Sequence, residues 1–241
     1  MRRRLSPHLS GAALTLVALL AVALFIRLGF WQWHKGSASQ EQWQRFAHGA
    51  SEVLPLGSDA LASVPLYQRV SVSGALDAQH QFLLDNRSYQ GRPGYEVLTP
   101  LTRAGAMTLL VDRGWVPFSG SRAQLPDVSL DPETAVTLTG RSGLLPSPGL
   151  ALGRAPPSGA WPKVTAFPSM ADLAGALATA LEPRILLLDP AAAHGYVRDW
   201  QPPGMSPLRH FSYAIQWWSF AALGLLMWTI MALRGKRGRA A

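Results

Sequence analysis

His210, Tyr213, Gln216 and Trp217 fall at i, i+3, i+6 and i+7, and helical spacing puts them on one stripe. Arg27, Trp31 and His34 follow a similar rhythm at i, i+4 and i+7, with Gln32 beside them. An imidazole keeps a ring nitrogen available to a metal near neutral pH. A guanidinium pairs with carboxylates, and indole and phenol rings offer flat faces. Those parts suit an amphipathic planar ligand such as haem, with His210 as its axial ligand. Gly29 permits close approach of a helix or of a ligand. An ordinary membrane-interface girdle uses the same residues: Arg27 snorkels, His210 caps a helix end and the Trp side chains anchor. Aromatic and basic anchors are the normal interfacial pattern, so spacing alone favours the girdle. His8, His48, His80 and His194 stand apart and read as surface residues rather than a ligand cluster.

Two further groups join an acid to a base, Asp85-Asn86-Arg87 and Asp112-Arg113, each at the end of a strand candidate. They form either a polar site at one rim of a sheet or local ion pairs and turn hydrogen bonds. Exposed pairs are common and weak, which favours the second reading. Motifs of turnover enzymes are missing: there is no G-x-S-x-G, H-E-x-x-H, P-loop or G-x-G-x-x-G. With no Cys, the chain also lacks disulfides, C-x-x-C redox chemistry, covalent C-x-x-C-H haem attachment and thiolate metal sites.

The elements that must position the two stripes are apolar helices. Every residue from Gly11 to Ile26 is apolar or small, Thr15 carrying the sole hydroxyl. A span needs about 20 mostly apolar residues, and Leu9 to Trp33 supplies them if Arg27 snorkels from near one end. Phe211 to Leu233 is a second stretch without a formal charge. A cleaved signal peptide is the rival for the first, but the A-x-A at Ala21-Val22-Ala23 falls inside the apolar run, which favours an uncleaved anchor. Hydrophobic residues are 48% of the 241-residue chain and charged ones only 15%, which also leans toward the membrane class.

A net charge of +8 invites a nucleic-acid reading. Yet all the acids lie between Glu41 and Asp199, and the segment from Lys35 to Arg209 is neutral. The excess is Arg2, Arg3, Arg4, Arg27, Arg234, Lys236, Arg237 and Arg239. Basic tails around a neutral body point to topology and exclude a nucleic-acid partner. The short N-terminal tail leaves no room for a long transit peptide. The expected layout is a bacterial inner-membrane protein with tails at residues 1–8 and 234–241 in the cytoplasm. Its spans are residues 9–33 and 210–233, and residues 34–209 form a periplasmic domain.

That domain reads as β-rich. A helix is expected over Gln40 to Ala50, capped by Ser39. Strands are expected at Leu66–Leu76, Gln81–Tyr89, Ala135–Leu145 and Arg184–Leu188. A hairpin joins Gly94–Leu101 to Ala106–Val116 through Thr102-Arg103-Ala104-Gly105. Pro146 to Pro162 reads as a loop. Ser169 caps a helix to Ala180, with Asp172 in a capping box. Gln201 to Pro207 is a stiff linker. The fold expected is an α+β membrane protein: two transmembrane helices flank an antiparallel, barrel-like sheet with short helices.

Four patches resemble the Surfeit-locus-1 (Shy-type) family of cytochrome c oxidase assembly factors. Leu28-Gly29-Phe30-Trp31-Gln32 is similar to the family's L-G-x-W-Q. Asn86-Arg87, Gly91, Pro93-Gly94-Tyr95, Val97 and Thr99-Pro100-Leu101 resemble its N-R-x-x-x-G-x-P-G-Y-x-V-x-T-P-L. Val111-Asp112-Arg113-Gly114-Trp115-Val116-Pro117 resembles V-N-R-G-W-V-P, and His210 to Trp217 resembles H-x-x-Y-A-x-Q-W. Order, spacing and the two-span layout are specific together. Lys35 stands where the family usually has Arg, the later Lys is missing, and Asp112 replaces the common Asn.

The resemblance implies an assembly factor rather than an enzyme, one that helps haem a reach oxidase subunit I. The implied partners are subunit I, haem a synthase and membrane lipid. Matching His210 is the family's candidate haem ligand, which shifts the balance toward a haem site of His210, Tyr213, Gln216, Trp217, Trp31 and Gln32. Charge complementarity adds Arg27 as a propionate partner. Asn86, Arg87, Gly94, Tyr95, Arg113, Gly114 and Trp115 would contact subunit I, shape the pocket or pack the sheet. The other classes open are a scaffold that stabilises subunit I without haem and a membrane enzyme acting on haem or lipid.

Overall fold

The computed structural model describes residues 7–49, 52–130, 135–146 and 155–237. Arg2, Arg3, Arg4 and Arg239 of the basic tails lie outside the described residues, as do positions 147–154 of the expected loop. The chain opens with helix α1 (Pro7–His48) and strand β1 (Val53–Pro55). A short 3-10 turn, Leu61–Ser63, leads to β2 (Arg69–Leu76), β3 (Phe82–Tyr89), β4 (Arg92–Thr102) and β5 (Thr108–Pro117). Next come β6 (Val136–Gly143), β7 (Ala155–Ser158), β8 (Lys163–Ala166), α2 (Met170–Leu177), β9 (Leu181–Leu188) and α3 (Pro207–Arg237).

Two compact units result. One joins α1 up to Trp43 with α3 and the residues from Gly204; the other is Gln44–Pro203. Ala12–His48 and Pro207–Arg234 are long and apolar enough to cross a membrane, with peak mean hydropathies of 2.4 and 1.4. Only 6% and 11% of those windows are buried, so neither is the core helix of a soluble protein. Both are consistent with a membrane protein.

The separate helix expected after Ser39 does not exist. Residues 34–48 contain no Pro, and from Gln40 they are mostly good helix formers, so they extend α1; Ser39 lies inside the helix and its hydroxyl donates to Met205 O at 2.9 Å. At the far end Gly49 follows the helix, its N–H bonded to Arg45 O. Here a Cβ would come within 2.5 Å of Tyr67 O, so the chain can pass only as glycine. The capping box at Ser169 is present as expected: its side chain accepts from Asp172 N–H, and Asp172 accepts from Ser169 N–H.

In the second unit the sheet has nine strands in the order β1-β2-β6-β9-β5-β4-β3-β8-β7, and a pairing of β2 with β4 closes it. The ring β2-β6-β9-β5-β4 is thus a small barrel, as the barrel-like expectation had it. The sheet is not purely antiparallel. β1–β2, β3–β8 and β5–β9 are parallel pairs. Turn signals report hairpins such as β4–β5, but a strand reached through a crossover can pair parallel anywhere. β9, entered through α2, does so beside β5. Part of the expected loop is strand too: β7, with Pro156 and Pro157, lies at the sheet edge, where missing N–H groups are tolerated.

Three apolar clusters fill the domain. Val70, Val72, Leu101, Val111, Leu138 and Leu186 form the first, with strands on the barrel ring all contributing. On β5 the next side chain along, Leu110, points the other way, to Phe82, Leu98 and α2's Leu173. Leu83, Tyr95, Val97, Val116 and Val128 form the third.

Candidate functional site

In the helix pair α1 and α3 meet along one stripe each. Small residues let the aromatic ones in. A Cβ on Gly29 would lie 2.2 Å from Trp218 Nε1, and one on Gly36 2.7 Å from the Phe211 ring. Trp33 packs on Phe211 and Trp218 with centroids 4.8 and 5.8 Å away, and Phe25 stacks on Trp217 at 5.7 Å. Buried Ala214 and Ala221 complete the α3 side. The alternation is one of small residue against ring, which gives helices contact area without a polar partner.

Half-buried His210 sits in this seam. Its Nδ1 meets Gln32 Oε1 at 2.8 Å. An amide oxygen only accepts, so Nδ1 carries the proton, and in the neutral ring the lone pair is on Nε2. Orienting one imidazole nitrogen in this way is how a protein presents the other to a metal. His210 and Gln32 are therefore brought together. Trp217 lies in the seam but is committed to Phe25. Tyr213 is 45% exposed and Gln216 is exposed, so both flank His210 on the open side of α3.

Arg27 and Trp31 are placed differently. Both are exposed, with His34, on the side of α1 turned away from Gly29 and α3. The geometry does not bring Arg27 to His210, because Arg27 lies on the exposed side of α1 and His210 in the seam. An apolar cavity of about 570 Å³ does open between the helices, but at their other end, around Thr15, Ala18, Gly224 and Trp228. Trp33, Phe211 and Gly36 were missed as seam residues. The seven-residue spacing of Gly29 and Gly36, two helical turns, was the available signal.

In the domain the local turn hydrogen bonds expected of the β3 and β5 motifs are present, Asn86 N–H to Asp85 and Gly114 N–H to Asp112, but the local ion pairs are not: the charged groups join a partly buried network across strands. Asp85 pairs with Arg122, not Arg87. Arg87 instead reaches across the β3–β4 ladder to Glu96, Nε to Oε2 at 3.1 Å, without hydrogen-bond alignment, and lies over the Phe167 ring. Asp112 is not paired with Arg113 and does not end a strand: it is a buried mid-strand residue of β5, accepting from Gly114 N–H at 3.0 Å. Burial pushes its carboxyl well above the ordinary range, Glu96 pushes further, and the Gly114 N–H and Arg87 only partly oppose. Glu96 is raised as well, chiefly by burial, against Arg87.

Arg113 is internal. It donates to Gln81 Oε1 at 2.8 Å and to His194 O at 2.6 Å, and stacks on Tyr196. Gly114 has φ +105°, and Trp115 exchanges backbone bonds with Val197. Gly94 carries the Trp115 indole: a Cβ there would sit 2.4 Å from Nε1, which is buried without a partner among the described residues. Asn86 is the exposed member, in a left-handed conformation at the β3 bulge. Tyr95, Arg113 and Trp115 are buried inside the sheet. Among the described residues no group of three His, Cys, Asp or Glu could hold a metal ion.

One family model, that of the SURF1 family, matches residues 19–222, from within α1 through the seam of α3. The chain belongs to the SURF1 family. No individual curated protein matches it. Membership implies a role in cytochrome c oxidase assembly, and members of the family are assembly factors, generally not enzymes. The matched region holds both the His210–Gln32 seam and the buried network.

Proposed function

We propose that this SURF1-family chain is a two-span protein of the bacterial inner membrane. Its tails are cytoplasmic and its barrel domain periplasmic, and it carries haem a as cargo toward oxidase subunit I. The observation that supports the cargo reading most is the Nδ1–H of His210 held on Gln32, which leaves Nε2 as a ready axial donor. The ligand atom fits haem iron, and exposed Tyr213 and Gln216 continue the same edge of α3. Arg27 does not fit the propionate role beside His210, because it faces the other way. The chain's own part is to hold the imidazole tautomer, present one nitrogen and leave that edge open for transfer. Haem a synthase is the natural donor in this scheme.

Purification in detergent from cells that make haem a tests the reading. A Soret band in proportion to protein is expected, lost in His210→Ala. Gln32→Leu should weaken haem affinity about tenfold, as loss of a partner that orients a ligating imidazole does. A colourless wild type that restores oxidase activity in a deletion strain would make the protein a haem-free scaffold for subunit I.

A further inference from the structure

Arg27 has no role in the helix seam, and its surroundings define a second surface. At 3.6 residues per turn Arg27, Trp31 and His34 lie within an arc of about 60°, centred about 170° from Gly29. Leu20 and Leu24 continue that face, with exposures of 61% and 53%, and Trp31 is 53% exposed. The face is therefore apolar over two turns and then carries one fixed cation beside an indole. Inside a span such a cation either snorkels to the headgroups or pairs with an anion. Helical side chains lean toward the helix N-terminus. In the proposed topology that directs Arg27 toward the bilayer interior, away from the outer headgroups.

The chain itself offers no anion at this depth. Neither residues 1–40 nor residues 200–241 contain an Asp or Glu. The nearest acid along α1, Glu41, is about 21 Å further on. A second copy brings the same acid-free spans, so self-association leaves the charge unmatched. We infer that the Leu20–Leu24–Arg27–Trp31 face of α1 docks a transmembrane helix of another protein, one that carries a carboxylate to pair with Arg27. The guanidinium fork favours a carboxylate held bidentately, and Trp31 packs over the partner helix next to it. The inference rests on the spanning reading above.

A photoreactive residue at Leu24, with one at Val22 in the seam as control, tests this in native membranes with the full chain. Expected is an adduct from position 24 whose partner peptide is a membrane span with an Asp or Glu within about one turn of the cross-link. Its yield should fall at least tenfold in Arg27→Gln and persist in Arg27→Lys. Neutralising the partner's acid should reproduce the tenfold loss. Adducts with lipid alone, with a second copy, or with a span lacking a carboxylate overturn the inference. So does a yield unchanged in Arg27→Gln. A tenfold loss of bound haem in Arg27→Gln with the adduct intact overturns it in favour of a propionate. Alkaline extraction separates the two levels. Release of the wild type overturns the spanning reading and the inference with it, whereas retention with lipid-only adducts overturns the inference alone.

Discussion

At the scale of single residues the least expected group is Asp112. The family pattern has Asn in this place, and the side chain serves an Asn's purpose, accepting one N–H from Gly114 inside the sheet. As a carboxylate it also bears the cost of burial and of Glu96 nearby. The folded pKa is raised above its ordinary value of 3.8, so between that value and the raised one the folded state holds more protons than the unfolded state. Stability then falls as pH rises through that window. Glu96 acts in the same direction. Asp112→Asn should flatten the slope, by at most about 1.4 kcal/mol per pH unit, the limit for one proton. Melting temperatures of both forms between about pH 5 and 8 check this. A parallel pair of curves would show that Asp112 is ionised in the folded state throughout that range, and would overturn the raised pKa.

The elements differ in how much of them could be read from the chain. Gly29 and Gly36 set the α1–α3 seam, and the Cβ clash at Gly29 is with the Trp218 indole. Gly29→Leu should separate the helices there at an overpacking cost of about 1–3 kcal/mol. Disulfide yield between cysteines in S39C/M205C, where the wild-type side chain of residue 39 reaches the carbonyl of residue 205 at 2.9 Å, reads this out as a severalfold loss. Gly175→Ala, which meets nothing within 4 Å, should leave it unchanged. Strands β2 to β6 and β9, the β4–β5 hairpin and the α2 capping box were all legible, because alternation and turn residues are local signals. The parallel partners of β1, β8 and β9 were not, since nothing local records where a crossover lands. At the site, the α3 stripe was legible as periodicity, and Gln32 was singled out beside the α1 stripe. The helix face that carries Arg27 was legible too, but its direction was not: a stripe at i, i+4, i+7 states which residues share a face, not what the face meets. Glu96 was overlooked because its partner Arg87 lies on another strand.

For the whole molecule the division at Trp43 and Gly204 has a physical content. All three apolar clusters draw on residues between Gln44 and Pro203, and a domain with its own core can fold alone. The fragment 44–203 should therefore be soluble without detergent and melt in one cooperative transition. Its C-terminal strap belongs to the fold. Trp115 N–H donates to Val197 O at 2.8 Å, Tyr196 N–H to Arg113 O at 2.7 Å, and the Trp200 indole to Leu188 O at 2.7 Å. Arg198 holds the carbonyls of Asp189, Pro190 and Ala192. At about 1 kcal/mol per hydrogen bond, a fragment ending at residue 191 should lose at least about 3 kcal/mol. It should also expose the Arg113 guanidinium, which the strap covers through His194 O and the Tyr196 ring. Urea midpoints of the two fragments measure the loss. Equal midpoints would mean that the strap is only a tether to α3, and the buried network would then owe its order to β3, β4 and β5 alone.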